Sequence, residues 1–126
     1  MWQKILLLAA AGAAGTICRY LLADVVNHYA GKAFPWGTLA VNVLGCFLFG
    51  LVASLAEEQR IITEQSRVIV LTGFMGAFTT FSTFAYETTS LGRNGHWLAA
   101  GGNLLLENGL GIAAVLLGIA AARVVG

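Results

Sequence analysis

The stretch GFMGAFTTFSTF, residues 73–84, sits inside a segment that otherwise reads as hydrocarbon. Thr79, Thr80, Phe81, Ser82 and Thr83 follow one another where a membrane helix normally offers Leu and Val. Gly73, Gly76 and the run of poor helix formers from Thr79 to Ser82 weaken the helix at that point. Irregular backbone at membrane depth is tolerated only where protein buries it or where it lines a polar cavity. Carbonyls exposed at such a break can hold a cation. The same residues also fit an intact helix whose hydroxyls bond back to its own carbonyls.

Composition supplies the setting. The chain has 126 residues, 58% hydrophobic and 10% charged, with a mean hydropathy of +0.80. A soluble domain carries about 25% charged residues, so this chain belongs in a lipid bilayer. A net charge of +1 leaves no basic face for nucleic acid. Cys18 and Cys46 lie in apolar stretches and read as small buried thiols, not as a disulfide or zinc framework. One proline, Pro35, and no low-complexity linker argue for a single domain, residues 1–126. The N-terminus has the order of a signal peptide, but three further apolar segments follow, so it reads as a retained first helix.

Charges divide the chain into four spans, at about residues 5–26, 36–56, 68–86 and 97–122. Each is long enough for a hydrocarbon core that needs about 20 residues. Trp2, Trp36, Tyr86 and Trp97 fall at span ends, as interfacial aromatics do. The first span is interrupted by Arg19 and ends near Asp24, the fourth is interrupted by Glu107, and EEQRIITEQSR (residues 57–67) reads as a solvated connector. Lys4, Arg60, Arg67 and Arg123 lie on one side, Lys32 and Arg93 on the other, a bias weak enough to permit insertion both ways. Four short helices enclose little space, so a pore needs a partner chain. Gly12 and Gly15, Gly45 and Gly50, and Gly109, Gly111 and Gly118 offer close helix approach.

With about 1.5 Å of rise per residue, Arg19, Asn42, Phe81 and Glu107 all fall near the bilayer midplane. Polar residues at that depth are costly and face an interior or a water-filled route. Asn42 is a candidate ion ligand, with helix glue as its alternative role. Phe78, Phe81 and Phe84 recur at three-residue spacing in a stripe that continues to Glu87. Such a stripe serves as a packing face, or its positive ring edges line the route of a small, hard anion.

GTLAVNVLGCFLFG (residues 37–50), GFMGAFTTFSTFAYE (residues 73–87) and GAAGTICRY upstream together closely resemble the Fluc-type (CrcB) fluoride channels. The similarity spans all four helices. It implies an all-α membrane protein of four transmembrane helices, the third broken near its centre, assembling as an antiparallel dual-topology homodimer with two fluoride pores. By the resemblance, Phe81, Phe84 and Asn42 contact the fluoride route, with Ser82, Thr83 and Thr38 as hydroxyl positions near it. Glu87 marks the pore end and Arg19 the vestibule. Backbone carbonyls of Gly76 and Thr79, from both subunits, would hold a structural sodium ion. Helix four departs: the family often has Tyr or Asn and then Ser or Asn where this chain has Asn103 and Glu107. A carboxylate there is unexpected on an anion route.

The function implied is a passive channel, not an enzyme, that lets fluoride out of the cytoplasm across a cell inner membrane. A small dual-topology proton-coupled multidrug exporter is the alternative, but that would want an acid in the first helix, which carries Arg19 instead. A non-transporting assembly factor is a third class, with no need for the run from Thr79 to Phe84. Three accounts of Glu107 stand open: an ion pair with Arg19, a pore-facing and partly protonated carboxyl that repels a passing anion when ionised, or exposure to lipid or headgroups.

Overall fold

In hydrocarbon every backbone N–H and C=O must find a partner within the protein, so long apolar runs become helices. The computed structural model, which describes residues 1–58 and 62–126, bears this out. Its elements are α1 (Trp2–Ala30), α2 (Trp36–Glu57), α3 (Glu64–Val68), a π-helical segment (Ile69–Met75), α4 (Gly76–Phe78), α5 (Phe81–Arg93) and α6 (Trp97–Val125). The pieces from α3 through α5 form one interrupted crossing, and among the described residues four helical units are long and apolar enough to span a bilayer. The chain is a multi-pass membrane protein.

Several boundaries differ from those that charge alone suggests; the third span, for one, runs on past Tyr86 to Arg93. The first span does not end near Asp24 but continues to Ala30, and Gly31 turns the chain there with φ 87°. Asp24 is accommodated because it lines a polar cavity that also holds Arg19. The third span begins inside the stretch read as connector. The Thr63 hydroxyl accepts from the Ser66 amide at 3.2 Å and starts a helix at Glu64, as an N-cap threonine does. Arg60, counted above in the charge balance, lies outside the described residues.

Residue contacts fix the helix directions. Asn42 meets Glu107 and Gly111 meets Cys46, while Gly50 packs on Val115, so α2 and α6 run parallel at a constant offset. Gly73 packs on Leu8 and Ala11, and Gly15 on Phe74 and Ala77, so α1 and the third span are parallel as well. Glycine makes these approaches possible. A Cβ on Gly50 would strike the Val115 carbonyl, and one on Gly118 the Phe47 carbonyl. Lipid tails are as apolar as leucine, so such close packing replaces the hydrophobic drive between membrane helices.

The core sits where α2 meets the first half of the third span: Val41, Leu71, Met75 and Phe78 are buried there, flanked by Leu22, Ala23, Leu48 and Phe74. Outside it the chain is open. Gly15 is the one buried residue of α1, and Ile17, Tyr20, Leu21 and Val25 are all exposed. At one end, Arg67 pairs with Glu57 and Glu64, and Arg123 with Glu58. These partly exposed pairs tie the ends of α2 and α6 to the start of the third span and add little stability.

Gly50→Ala and Gly118→Ala must each push backbone apart, at about 1–3 kcal/mol, whereas a Cβ on Gly109 meets only open space. Thermal denaturation in detergent, followed by size-exclusion chromatography, should show the first two melting early and Gly109→Ala unchanged.

Candidate functional site

The third span breaks after Phe78. Thr79 takes φ −80°, ψ 154° and Thr80 takes φ −145°, ψ 108°, both extended. The last helical bond before the break is Thr79 N–H to the Met75 carbonyl at 3.0 Å, and the Thr79 hydroxyl donates to that carbonyl as well. A continuous helix would aim the Thr80 and Thr83 amides at the carbonyls of Gly76 and Thr79. Here the Thr80 amide donates to Asn42 Oδ1 at 2.8 Å and the Thr83 amide to the Thr80 hydroxyl at 3.3 Å. Asn42 Nδ2 completes the clamp by donating to the Thr80 carbonyl at 3.1 Å. One side-chain amide on α2 thus satisfies both backbone groups of the residue that opens the helix.

Two cavities flank this clamp, and Thr80 lines both. One, of 340 Å³, is bordered by Arg19, Asp24, Thr38, Val41 and Thr83. Arg19 Nε is buried beside it with no hydrogen-bond partner among the described residues. The other, of 270 Å³, is bordered by Asn42, Cys46, Thr79, Phe81, Phe84 and Glu107. The Phe81 and Phe84 rings meet edge to face with centroids 5.5 Å apart.

Most residues singled out from the sequence converge here, but not as one stripe. The break rotates α5 against α4. Phe78 is buried in the core while Phe81 is 78% exposed and Phe84 only 7%. Thr38 donates to Glu87 Oε1 at 2.8 Å, and the Thr80 hydroxyl donates to that of Thr83. Ser82 is exposed and lies outside both cavities. Asn103 is fully buried and donates to Thr88, whose hydroxyl donates to the Phe84 carbonyl; it lines neither cavity. Of the accounts of Glu107 left open by the sequence, the ion pair with Arg19 does not form. Arg19 faces the first cavity, whereas Glu107, only 9% exposed, accepts from Asn42 Nδ2 at 3.1 Å in the second. Shared depth misled because the Asn42–Thr80 clamp stands between the two cavities.

Thr80 is the functional position that the sequence reading passed over. Its signal was present: a threonine three residues before Thr83, at the start of an apolar run, is an N-cap pattern. Asn27, which accepts from the Gly37 amide at 2.9 Å and lines the Arg19 cavity, carried no comparable signal.

Fold and site together define a small multi-pass membrane protein with polar cavities at bilayer depth, the architecture of a transport protein. Comparison with known sequences gives the family. The pattern of the CrcB-like protein family (Camphor Resistance, CrcB) matches residues 6–119, and the chain belongs to that family. A protein of Nitrosococcus oceani named fluoride-specific ion channel FluC is 52% identical over 99% of this chain and all of its own length. Proteins of the same name from Nitratidesulfovibrio vulgaris and Solidesulfovibrio magneticus are 50% and 47% identical, covering 98% and 99% of this chain and 99% and 100% of their own length. The name they share is that of an ion channel, not of an enzyme.

Asn42→Ala would leave both the amide and the carbonyl of Thr80 unpaired, each at about 1–3 kcal/mol when buried. The variant should unfold well below the native protein in detergent, while Asn42→Gln, which keeps the amide chemistry, should recover part of the loss.

Proposed function

We propose that this chain forms a passive, fluoride-selective channel. The observation that carries the reading is the set of groups around the break: α2 donors Thr38 and Asn42, the Phe81–Phe84 edges and the Thr80–Thr83 hydroxyls, gathered beside an unpartnered Arg19. A small, hard anion surrenders its water only to closely spaced donors and to positive ring edges. The names of the full-length relatives support fluoride as that anion. The exporter alternative finds no such support, since the mid-membrane acid is held by Asn42 and the first helix offers Arg19.

The working unit in this reading is an antiparallel homodimer with two pores. The cavity holding Glu107 and Asn42 is bordered by a strongly exposed Phe81, and lipid is a poor cover for such a groove. A second copy would close it. Where the helix opens, the carbonyls of Gly76 and Thr79 have lost the amides a continuous helix would give them, and Gly76 is exposed. Hard, neutral oxygens of this kind fit a sodium ion, and when bound such an ion would join the two subunits.

In a cell inner membrane the channel would lower cytoplasmic fluoride. Hydrogen fluoride crosses bilayers neutral and dissociates inside. An inside-negative potential then drives the anion out, at about 2.3 kcal/mol per 100 mV, or between one and two decades of concentration at about 1.4 kcal/mol each. The channel itself needs no energy source.

Fluoride efflux from proteoliposomes, read with a fluoride electrode, tests the function: the protein should release fluoride in preference to chloride, and no release above protein-free vesicles would sink the reading. Phe81→Ile and Phe84→Ile should each cut flux at least about fivefold, the scale of a lost aromatic contact. Phe81 is exposed in the single chain, so where Phe81→Ile still elutes as the native assembly, normal flux would leave its ring without a part in permeation. Exchange of sodium for a bulky organic cation during purification should shift the dimer toward monomer on size-exclusion chromatography; an unshifted dimer would deny the sodium its joining role.

A further inference from the structure

Asn42 has two N–H groups, and both are taken. Its Oδ1 is pinned by the Thr80 amide at 2.8 Å, so the amide cannot flip, and Nδ2 is the atom that must face the route. One of its hydrogens goes to the Thr80 carbonyl and the other to Glu107 Oε2, each at 3.1 Å. The first is structural, because it holds the break open. The second is therefore the donor that Asn42 could offer to an anion, and a carboxylate of the chain itself already accepts it.

The other oxygen of Glu107, Oε1, is buried without a partner. The groups around it sharpen its position. Cys46 on α2 lines the same cavity, and Glu87 on α5 engages Thr38 through Oε1 while its Oε2 is buried and unpaired. The cation Arg19 faces the opposite cavity. Glu107 thus has an acid and a thiol for titratable neighbours, with no cation paired to it among the described residues.

Resting on the fluoride-channel reading, we propose that Glu107 is a proton-operated residue of the permeation route. Ionised, it holds the Asn42 N–H that a permeating anion needs, and it repels that anion. Protonated on Oε1 by a proton from the aqueous phase, it keeps Oε2 on Asn42 with a weaker bond and offers an O–H donor to the 270 Å³ cavity lined by Phe81 and Phe84. A neutral acid then supplies the kind of donor that Ser or Asn would supply at this position. The chain would accordingly conduct best when the cavity is acidic.

The test uses full-length native protein, Glu107→Gln and Glu107→Ser in liposomes, with fluoride efflux corrected for protein-free vesicles at each pH. Gln matches the size of the acid and cannot ionise; Ser serves as the second variant should Gln distort the packing, and monodisperse elution certifies both. At about pH 7.5 both variants should exceed native flux roughly tenfold, the factor that one hydrogen bond to a charged group commands. Native flux should climb by a similar factor as the pH is lowered, while Glu107→Gln stays flat. Both variants retain Glu87, Cys46, Arg19 and Asp24, so a pH response that persists in them belongs elsewhere and overturns the proposal. Native fluoride flux that ignores pH, or variants that conduct no better than native, overturn it while leaving the channel reading intact. Absence of fluoride flux from native protein and variants at every pH removes the channel reading, and this inference with it.

Discussion

A helix cannot open inside a bilayer unless something replaces the hydrogen bonds it gives up, and here the replacement is a single side chain. Asn42 on α2 supplies an acceptor to the Thr80 amide and a donor to the Thr80 carbonyl. An unpaired backbone group in hydrocarbon costs several kcal/mol. The extended turn at Thr79 and Thr80 is tolerable because this clamp and the Thr80 cap on α5 cover the exposed donors. The local geometry follows from that turn: the rotation of α5 that separates Phe78 from Phe81, the loss of helical amide partners at the carbonyls of Gly76 and Thr79, and the two cavities on either side.

The clamp works only if α2 stays fixed against its neighbours, and glycine provides that rigidity. Gly45 sits where a Cβ would strike the Thr79 methyl, and Gly50 and Gly118 bring α2 and α6 into backbone contact. The parallel register that results places Asn42 against Glu107 and Cys46 against Gly111. Tight packing of small residues thereby sets Glu107 of α6 against the same amide that holds the break.

The electrostatic arrangement is asymmetric. The cavity on the α1 side holds Arg19 with a free buried nitrogen, suited to attract an anion; the cavity on the α6 side holds ring edges and a carboxylate. Thr38 and Asn42, one helical turn apart on α2, each donate to an acid, Glu87 and Glu107. In the channel proposed above, an anion that crossed from one cavity to the other would compete with these resident acceptors for both donors.

Membrane residence, the number of crossings and the weakness at residues 73–84 were all legible in the sequence. They follow from local quantities: hydropathy summed over about 20 residues and helix propensity summed over a few. The motif run from Gly73 to Glu87 with Asn42 pointed to the family that the relatives then established. Only the tertiary structure decided what is not local. Depth along the membrane placed Arg19 and Glu107 at one level, but not on one side of the Asn42–Thr80 clamp, so their pairing could not be judged from spacing. The three-residue stripe of Phe78, Phe81 and Phe84 presupposed an unbroken helix; once the backbone turns at Thr79, that periodicity stops describing which side chains share a face. Thr80 looked like one hydroxyl among several, because its importance lies in its backbone groups, and the partner that satisfies them is 38 residues away on another helix.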